Sequence, residues 1–368
     1  MYNDTTMKPG EIIFLLGAGA SFDAKIPVSK IMLEQLEIKL ADGSTDNEWN
    51  KYKNLYYCIK SGIQYGIGIA NKPIEFNIET IINTIEELLK SYEHPIYPFV
   101  GSWVPRLTEL AGVDFVNIKN FKKLILTQLR DWMEINKVED CDYYCGLIRF
   151  QKQLEFPLSI FTLNYDLCLE TQCKKNDTEY NRGFDNGSWS YKNFQKPDDI
   201  ISPINIYKIH GSIDWELKNH EVHEKIGTID RRDIEELALI FGTSYKFQYI
   251  DPFLFLFSEF RRILLEESAT KYIVCIGYSF NDEHINGILR QAVQKVNSKI
   301  IISIQPFSSN GKDLKSQNEE EKERLCAKLG LTSSFNIHVD NVKAKDFFEN
   351  IISKEYFMKY YDMSDLPF

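Results

Sequence analysis

No apolar run in this chain reaches about 18 residues, the length a helix needs to cross a bilayer, so no transmembrane helix is expected. Met1 to Gly10 is polar and lacks the apolar stretch of a secretion signal, which makes a cytoplasmic location the expectation. Cysteine is sparse and odd in number, seven in 368 residues, which points to free thiols rather than a disulfide framework. Only Cys141 with Cys145 and Cys168 with Cys173 lie close together. Neither spacing makes the two CxxC hooks of a structural zinc site, so no metal is expected and the cysteines read as small buried side chains. Positive charge is also short: 43 Lys and Arg face 53 Asp and Glu, a net charge of −10. A globally acidic surface argues against tight nonspecific nucleic-acid binding. The adjacent carboxylates Asp282 and Glu283 do not make a metal-ligating cluster, because neighbouring residues on a helix point apart.

What is present is ordinary for a globular chain, 43% hydrophobic and 26% charged, in a length that suits one large domain or two. Glu11 to Leu16 reads as a buried parallel strand stopped by Gly17, and Ser29 to Leu40 has apolar residues at helical spacing. Strand, glycine turn and helix together open a Rossmann-type unit. From Ala41 to Gln153 the pattern is mostly helical, clearest at Ile78 to Ser91 and Phe121 to Ile135. The block 41–153 therefore reads as a helical insertion in a single domain spanning 1–368. Strand signals return at Leu158 to Leu163, Ile204 to Ile209, Leu237 to Phe241, Tyr272 to Ile276 and Lys299 to Ile304, with a helix at Asp282 to Lys295. The alternation predicts an α/β fold: a Rossmann-like, mostly parallel sheet flanked by helices. Asn176 to Ser202 reads as a long polar loop, Ser308 to Arg324 as a charged loop running into a helix, and Lys343 to Ile352 as a closing helix.

Chemistry concentrates at strand ends, where open α/β sheets collect ligands. Gly17, Ala18, Gly19 and Ser21 follow the first strand; the glycines let a backbone approach a pyrophosphate and Ser21 adds a hydroxyl. The same string is also what a plain tight turn into a helix needs, and it lacks the third glycine of GxGxxG. Asn164 ends the second strand, where its amide can hold a water or a ribose hydroxyl; Asp166, two residues on, also suits a helix cap. His210 ends a third strand with Gly211 beside it, and His is the side chain best suited to general-base work near neutral pH. Gly277 and Ser279 repeat the glycine-hydroxyl pattern, and Gln305 ends the next strand near where an adenosine ribose would lie. Of the other histidines, His94, His220, His223, His284 and His338, none matches that placement, and His220 with His223 has no third metal ligand.

In this order the strings GAGASFDAKIP, FTLNYDLCLE, KIHGSIDW and IGYSFNDEHI resemble the sirtuin-like family, and within it the bacterial antiphage-defence branch. The resemblance covers about Ile12 to Pro306 and implies that Gly17, Ala18, Gly19 and Ser21 hold NAD phosphates. It puts Asn164 and Asp166 at the nicotinamide end, makes His210 the base, and brings Gly277, Ser279 and Gln305 to the adenosine side. Deacylating sirtuins usually carry a four-cysteine zinc module, absent here, and the helical insertion replaces the region near their peptide cleft. The resemblance therefore implies an NAD glycohydrolase, with NAD as substrate, acting as a regulated NAD-depleting effector. It further implies a homo-oligomer and a separate partner, a HerA-type ATPase or an Argonaute-like protein. Two other readings stand beside it: a scaffold that binds NAD or ADP-ribose without hydrolysing it, and a nucleic-acid-acting nuclease subunit of a defence complex.

Overall fold

The computed structural model of the chain describes residues 7–44, 47–70, 76–93, 105–195, 203–225, 231–240, 250–267, 269–295, 299–307 and 313–360. Of the positions singled out above, His94, Phe241 and residues 1–6, 196–202 and 308–312 lie outside these.

Among the described residues twelve strands form: β1 Ile12–Leu16, β2 Leu158–Thr162, β3 Tyr180–Asn181, β4 Phe184–Asp185, β5 Ser188–Trp189, β6 Ile204–Lys208, β7 Gly211–Lys218, β8 Glu221–Glu224, β9 Leu237–Leu239, β10 Tyr272–Ile276, β11 Ile300–Ile304 and β12 Ile337–Asp340. Seven pair in one parallel sheet, in the order β12-β11-β10-β1-β2-β6-β3. The central strands β1, β10 and β11 are buried at every residue and apolar except for Ser303, as strands covered on both faces must largely be. β12 alternates buried and half-buried positions, the pattern of an edge.

Leaving aside the two-residue β3, the chain runs outward from β1 through β2 to β6, then restarts on the other side of β1 with β10, β11 and β12. That is the doubly wound Rossmann order, and its reversal falls between β1 and β10. A five-stranded antiparallel sheet, β4-β5-β8-β7-β9, is built from the segments around it. The β7–β8 hairpin turns on Asn219 and His220, both at positive φ (52° and 66°), the twist-matched geometry of a two-residue turn. His220 and His223 thus belong to a hairpin and its strand rather than to a loop. The stretch from Asn176 likewise carries three two-residue strands, too short for any sequence periodicity to reveal.

The chain divides into two compact units. The sheets belong with residues 1–26, 133–229 and 237–368; residues 27–132 and 230–236 form a helical unit. Inside the helical unit, Ile78, Ile81, Ile82 and Ile85 line the buried face of the helix Ile78–Glu93. Phe121 in the helix Val116–Met133 stacks on Tyr52 with ring centroids 5.4 Å apart. Residues 133–153, read from sequence with the helical block, group with the sheets.

The sheet unit buries an ionic cluster. Arg182, just after β3, reaches Glu170 Oε1 at 3.0 Å, Asp214 Oδ2 at 2.6 Å, and Glu224. Lys208, at the end of β6, reaches Glu170 Oε1 at 3.2 Å and donates to the Asp166 carbonyl. Arg182, Lys208, Glu170 and Asp214 are all at most 6% exposed. Buried ions persist only when paired, so these contacts tie β3, β6, β7, β8 and the helix Cys168–Lys175 to one geometry. Burial alone pushes the Asp214 carboxyl up; the Arg182 guanidinium beside it, with Lys208 and Ser212, outweighs this and holds it below the usual carboxylate range.

Removing the cation that serves three carboxylates leaves them buried and uncompensated. Arg182→Met is expected to destabilise the chain by roughly 3–5 kcal/mol in a urea melt at pH 7. Because the Asp214 pKa is depressed in the folded state, its stabilisation is complete above the unfolded carboxylate value of about 4 and is lost as pH falls through the folded value. The penalty of Arg182→Met should therefore shrink in melts taken at progressively lower pH below about 4. A change within about 0.5 kcal/mol at pH 7 would show that the cluster is dispensable.

Candidate active site

The register of the parallel sheet sets the site. Leu16 of β1 pairs with Thr162 of β2 and Ile276 of β10, Thr162 pairs with Lys208 of β6, and Ile276 pairs with Ile304 of β11. One row therefore closes five adjacent strands at their carboxyl ends. Gly17, Gly277 and Gln305 stand one residue beyond that row, and Asn164 and His210 both stand two beyond it.

At the reversal between β1 and β10 the two glycine turns interlock. Gly17 N–H donates to the Ile276 carbonyl and Gly19 N–H to the Gly277 carbonyl, each at 2.9 Å. A Cβ on Gly17 would sit 2.7 Å from the Gly277 oxygen, and one on Gly19 2.8 Å from the Gly277 Cα. Gly277 itself has φ +61°, and a Cβ there would lie 2.2 Å from the Ala20 nitrogen. The two strings, read from sequence as separate nucleotide contacts, are halves of one backbone junction. On its outer side Ala18 is exposed and Gly19 half-exposed.

Ser21 points the other way and is fully buried. Its Oγ accepts from Asn164 Nδ2 at 3.1 Å and shares a hydrogen bond of 2.8 Å with the Tyr144 hydroxyl. Complete burial, then the neighbouring Tyr143 and Asp166, push the Tyr144 phenol well up, so it stays protonated. Tyr143 donates to the Ala20 carbonyl at 2.7 Å. These two tyrosines brace the turn after β1, and sequence reading missed both. Asn164 is fixed a second time, its backbone N–H donating to Thr162 Oγ1 at 3.0 Å. Asp166 Oδ1 accepts from the Cys168 N–H at 3.0 Å, at the first residue of the helix Cys168–Lys175. A cavity of about 10 Å³, enough for one water, is lined by Tyr144, Thr162, Asn164, Asp166, Glu170 and Lys208 among others.

His210 is held by its backbone. Its carbonyl accepts from the Ile240 N–H at 2.9 Å, and Tyr165 donates to the Ile240 carbonyl at 2.7 Å. Gly211 has φ +91°, and a Cβ there would lie 2.3 Å from the Ala238 oxygen, so the residue after His210 must be glycine for β9 to close on β7. His210 Nε2 lies 3.3 Å from Asp282 Oδ2, and both residues are 7% exposed. The sequence signal for Asp282 is its place immediately ahead of the helix Glu283–Lys295, the cap position, rather than its adjacency to Glu283.

Ser279 and Gln305 share the sheet edge but are tied elsewhere. Ser279 is exposed and its carbonyl accepts from Lys328 Nζ at 2.8 Å. Gln305 Nε2 donates to Glu321 Oε1 at 2.8 Å. Both partners lie on the helix Leu314–Leu329. Among the described residues no cluster of three or more His, Cys, Asp or Glu side chains is arranged to hold a metal ion, and no helix is long and apolar enough to cross a membrane.

The interlock makes a paired prediction. Gly277→Ala, strained and in collision with backbone, is expected to cost roughly 1–3 kcal/mol in denaturant melts. Gly287→Ala, in a helix with nothing within 4 Å of the new methyl, should be neutral or stabilising by up to about 1 kcal/mol. Equal effects at both positions would contradict the junction as described.

Three comparisons bear on what kind of site this is. Against curated protein sequences the chain finds no match. Among solved structures it is similar to a Sir2 homologue, a point mutant in complex with ADP-ribose, at 13% identity and a TM-score of 0.39, covering 97% of this chain and 94% of that one. The SIR2-like domain pattern matches residues 158–332, so the segment carrying Asn164, His210, Gly277, Asp282 and Gln305 is similar to a SIR2-like domain.

Proposed function

We propose that the chain is an NAD glycohydrolase that cleaves NAD to ADP-ribose and nicotinamide. The observation that carries this reading is the equivalent placement of Asn164 and His210, two residues past the same row on adjacent strands β2 and β6, at the carboxyl edge of a Rossmann-order sheet. The glycine junction of Gly17, Gly19 and Gly277 at the reversal point beside them supports a dinucleotide as the ligand. The SIR2-like match over 158–332 supports NAD as that dinucleotide.

In this reading Ala18 and Gly19 present the outer side of the turn to the pyrophosphate, with Gly17 and Ser21 setting its shape. Gly277, Ser279 and Gln305 serve the adenosine side. Asp166 orders the turn that holds Asn164. Nicotinamide leaves as a neutral base because its ring is cationic in NAD: the C1′–N bond breaks, its electron pair returns to the ring, and C1′ passes through an oxocarbenium-like state. Water adds its oxygen to C1′ and gives up a proton to His210. Orientation supplies much of the rate in such a step. Asn164 Nδ2 donates to Ser21 Oγ, which holds the Asn164 amide in one orientation.

The wider role follows the resemblance of the four motif strings. The chain acts in the cytoplasm as a regulated NAD-depleting effector of antiphage defence. It is a homo-oligomer restrained until a HerA-type ATPase or an Argonaute-like partner releases it. The helical block 41–153 is an insertion in one NAD-binding domain spanning 1–368.

The test incubates the purified full chain with NAD, alone and with the product of its neighbouring gene, and follows nicotinamide release by chromatography. Asn164→Ala and His210→Ala should each slow release by on the order of 10²–10⁴-fold with the unfolding midpoint of His210→Ala kept. Release that survives both substitutions sinks the site. NAD binding without release, with or without the partner, would instead describe a dinucleotide-binding scaffold.

A further inference from the structure

Two hydroxyl groups behind Asn164 are shut away from solvent. Ser21 is fully buried and Tyr144 is 1% exposed. Each carries one O–H that needs an acceptor inside the protein, because an unpaired buried donor costs the full desolvation of that group. Among the described residues they meet in a short series: Asn164 Nδ2 with Ser21 Oγ at 3.1 Å, and Ser21 Oγ with the Tyr144 hydroxyl at 2.8 Å.

The direction of that series follows from its first member. An amide nitrogen can only donate, so Ser21 Oγ accepts from Asn164. The Ser21 proton is then left for the Tyr144 oxygen, its other partner. Tyr144 has thereby become an acceptor, and its own O–H must point elsewhere. Complete burial, then the neighbouring Tyr143 and Asp166, keep that phenol protonated, so the proton is there to be placed.

Tyr144 lines the cavity of about 10 Å³ together with Thr162, Asp166, Glu170 and Lys208. Lys208 is 1% exposed, and among the described residues its ammonium meets two acceptors, the Asp166 carbonyl and Glu170 Oε1. An ammonium has a third N–H to give. Thr162 Oγ1 accepts from the Asn164 N–H and likewise has its own proton to give. Donors thus converge on a space the size of one water, and Asp166 and Glu170 bring carboxylates to the same lining.

We propose that this cavity is a binding site for one structural water, and that the water completes a one-way relay from Asn164 to the buried carboxylates. Tyr144 O–H and Lys208 Nζ donate to the water oxygen, and the water donates to Asp166 and Glu170. The relay runs from Asn164 N–H to Ser21, from Ser21 O–H to Tyr144, from Tyr144 O–H to the water, and from the water to carboxylate. Its ends are fixed by a group that can only donate and a group that can only accept. Hydrogen bonds aligned head to tail polarise one another, so each strengthens the next. The Asn164 amide nitrogen is thereby held inward, and its carbonyl oxygen faces away from Ser21. In the NAD-hydrolysing reading, on which this last step alone rests, that oxygen accepts from the attacking water, and Tyr144 is a positioning residue acting through Ser21.

The experiment compares the wild-type full chain with Tyr144→Phe, which keeps the ring and removes its hydroxyl. A high-resolution crystal structure of the wild type should show one ordered water within hydrogen-bond distance of the Tyr144 hydroxyl and of a carboxylate oxygen of Asp166 or Glu170. In ¹H–¹⁵N spectra of ¹⁵N-asparagine-labelled protein, with Asn164→Ala used for assignment, the Asn164 side-chain amide should shift and broaden in Tyr144→Phe. Ser21 then loses its acceptor, and its proton turns to the amide oxygen instead. With NAD, kcat for nicotinamide release should fall about 5-fold or more while KM stays within about two-fold. A wild-type cavity without water density overturns the site. An Asn164 amide unchanged in Tyr144→Phe overturns the relay, as does unchanged kcat in protein that releases nicotinamide. If wild-type protein releases no nicotinamide, the hydrolase reading fails, and the crystal structure and amide spectra still decide the relay; if Tyr144→Phe does not fold, the wild-type crystal structure decides it.

Discussion

Everything at the functional edge depends on one close approach of backbone to backbone. Where β1 and β10 end, the turns through Gly17 and Gly19 and through Gly277 share two hydrogen bonds and leave no room for a Cβ on either side. Side chains there would force the two central strands apart by a few tenths of an ångström at least, and the turn after β1 would lose its path. That path is what brings Ser21 under Asn164 and places Tyr143 and Tyr144 against the turn. The glycines are therefore structural in the first place, and the same absence of side chains that lets the turns meet also keeps the outer backbone bare.

Around that junction the site is stiffened by two kinds of polar contact. On the β2 side the contacts are neutral: the chain of Tyr144, Ser21 and Asn164 is buried and satisfied, which fixes an amide orientation that an exposed Asn would not hold. On the β6 side they are ionic: Lys208 and Arg182 are buried among Glu170, Asp214 and Glu224, and Lys208 also holds the Asp166 carbonyl. His210 lies two residues beyond Lys208, so its placement inherits the rigidity of this cluster. Rigid elements supporting a small number of polar groups is the arrangement that preorganised catalysis requires.

Much of the scaffold was legible because its signals are local. Buried parallel strands are short, mostly apolar runs, and β1, β2, β6, β10 and β11 are legible that way, although Ser159 in β2, Asn205 in β6 and Ser303 in β11 interrupt them. The helix ahead of Lys295 and the amphipathic Ile78–Glu93 are visible as periodicity. Less legible were contacts between distant residues. Tyr144 and Ser21 are 123 positions apart, and Asn164 and Ser21 are 143 apart, so nothing in either local string announces the partner. Asp282 was hidden for another reason: beside Glu283 it looks like one of a surface pair, and only the start of a helix at that point turns its carboxylate inward.

The sequence by itself determined the strand ends at which Gly17, Asn164, His210, Gly277 and Gln305 stand, since apolar runs and the residues that stop them are properties of the local chain. Only the tertiary structure decided which of those ends are neighbours and which groups touch. Strand order is set by how buried faces pack and how the chain reverses at β1, and that cannot be read along the sequence. This packing joined two glycine strings into one junction, enclosed Ser21 and bound Gln305 to Glu321. It also carried Asp282 across two strand ends to meet His210.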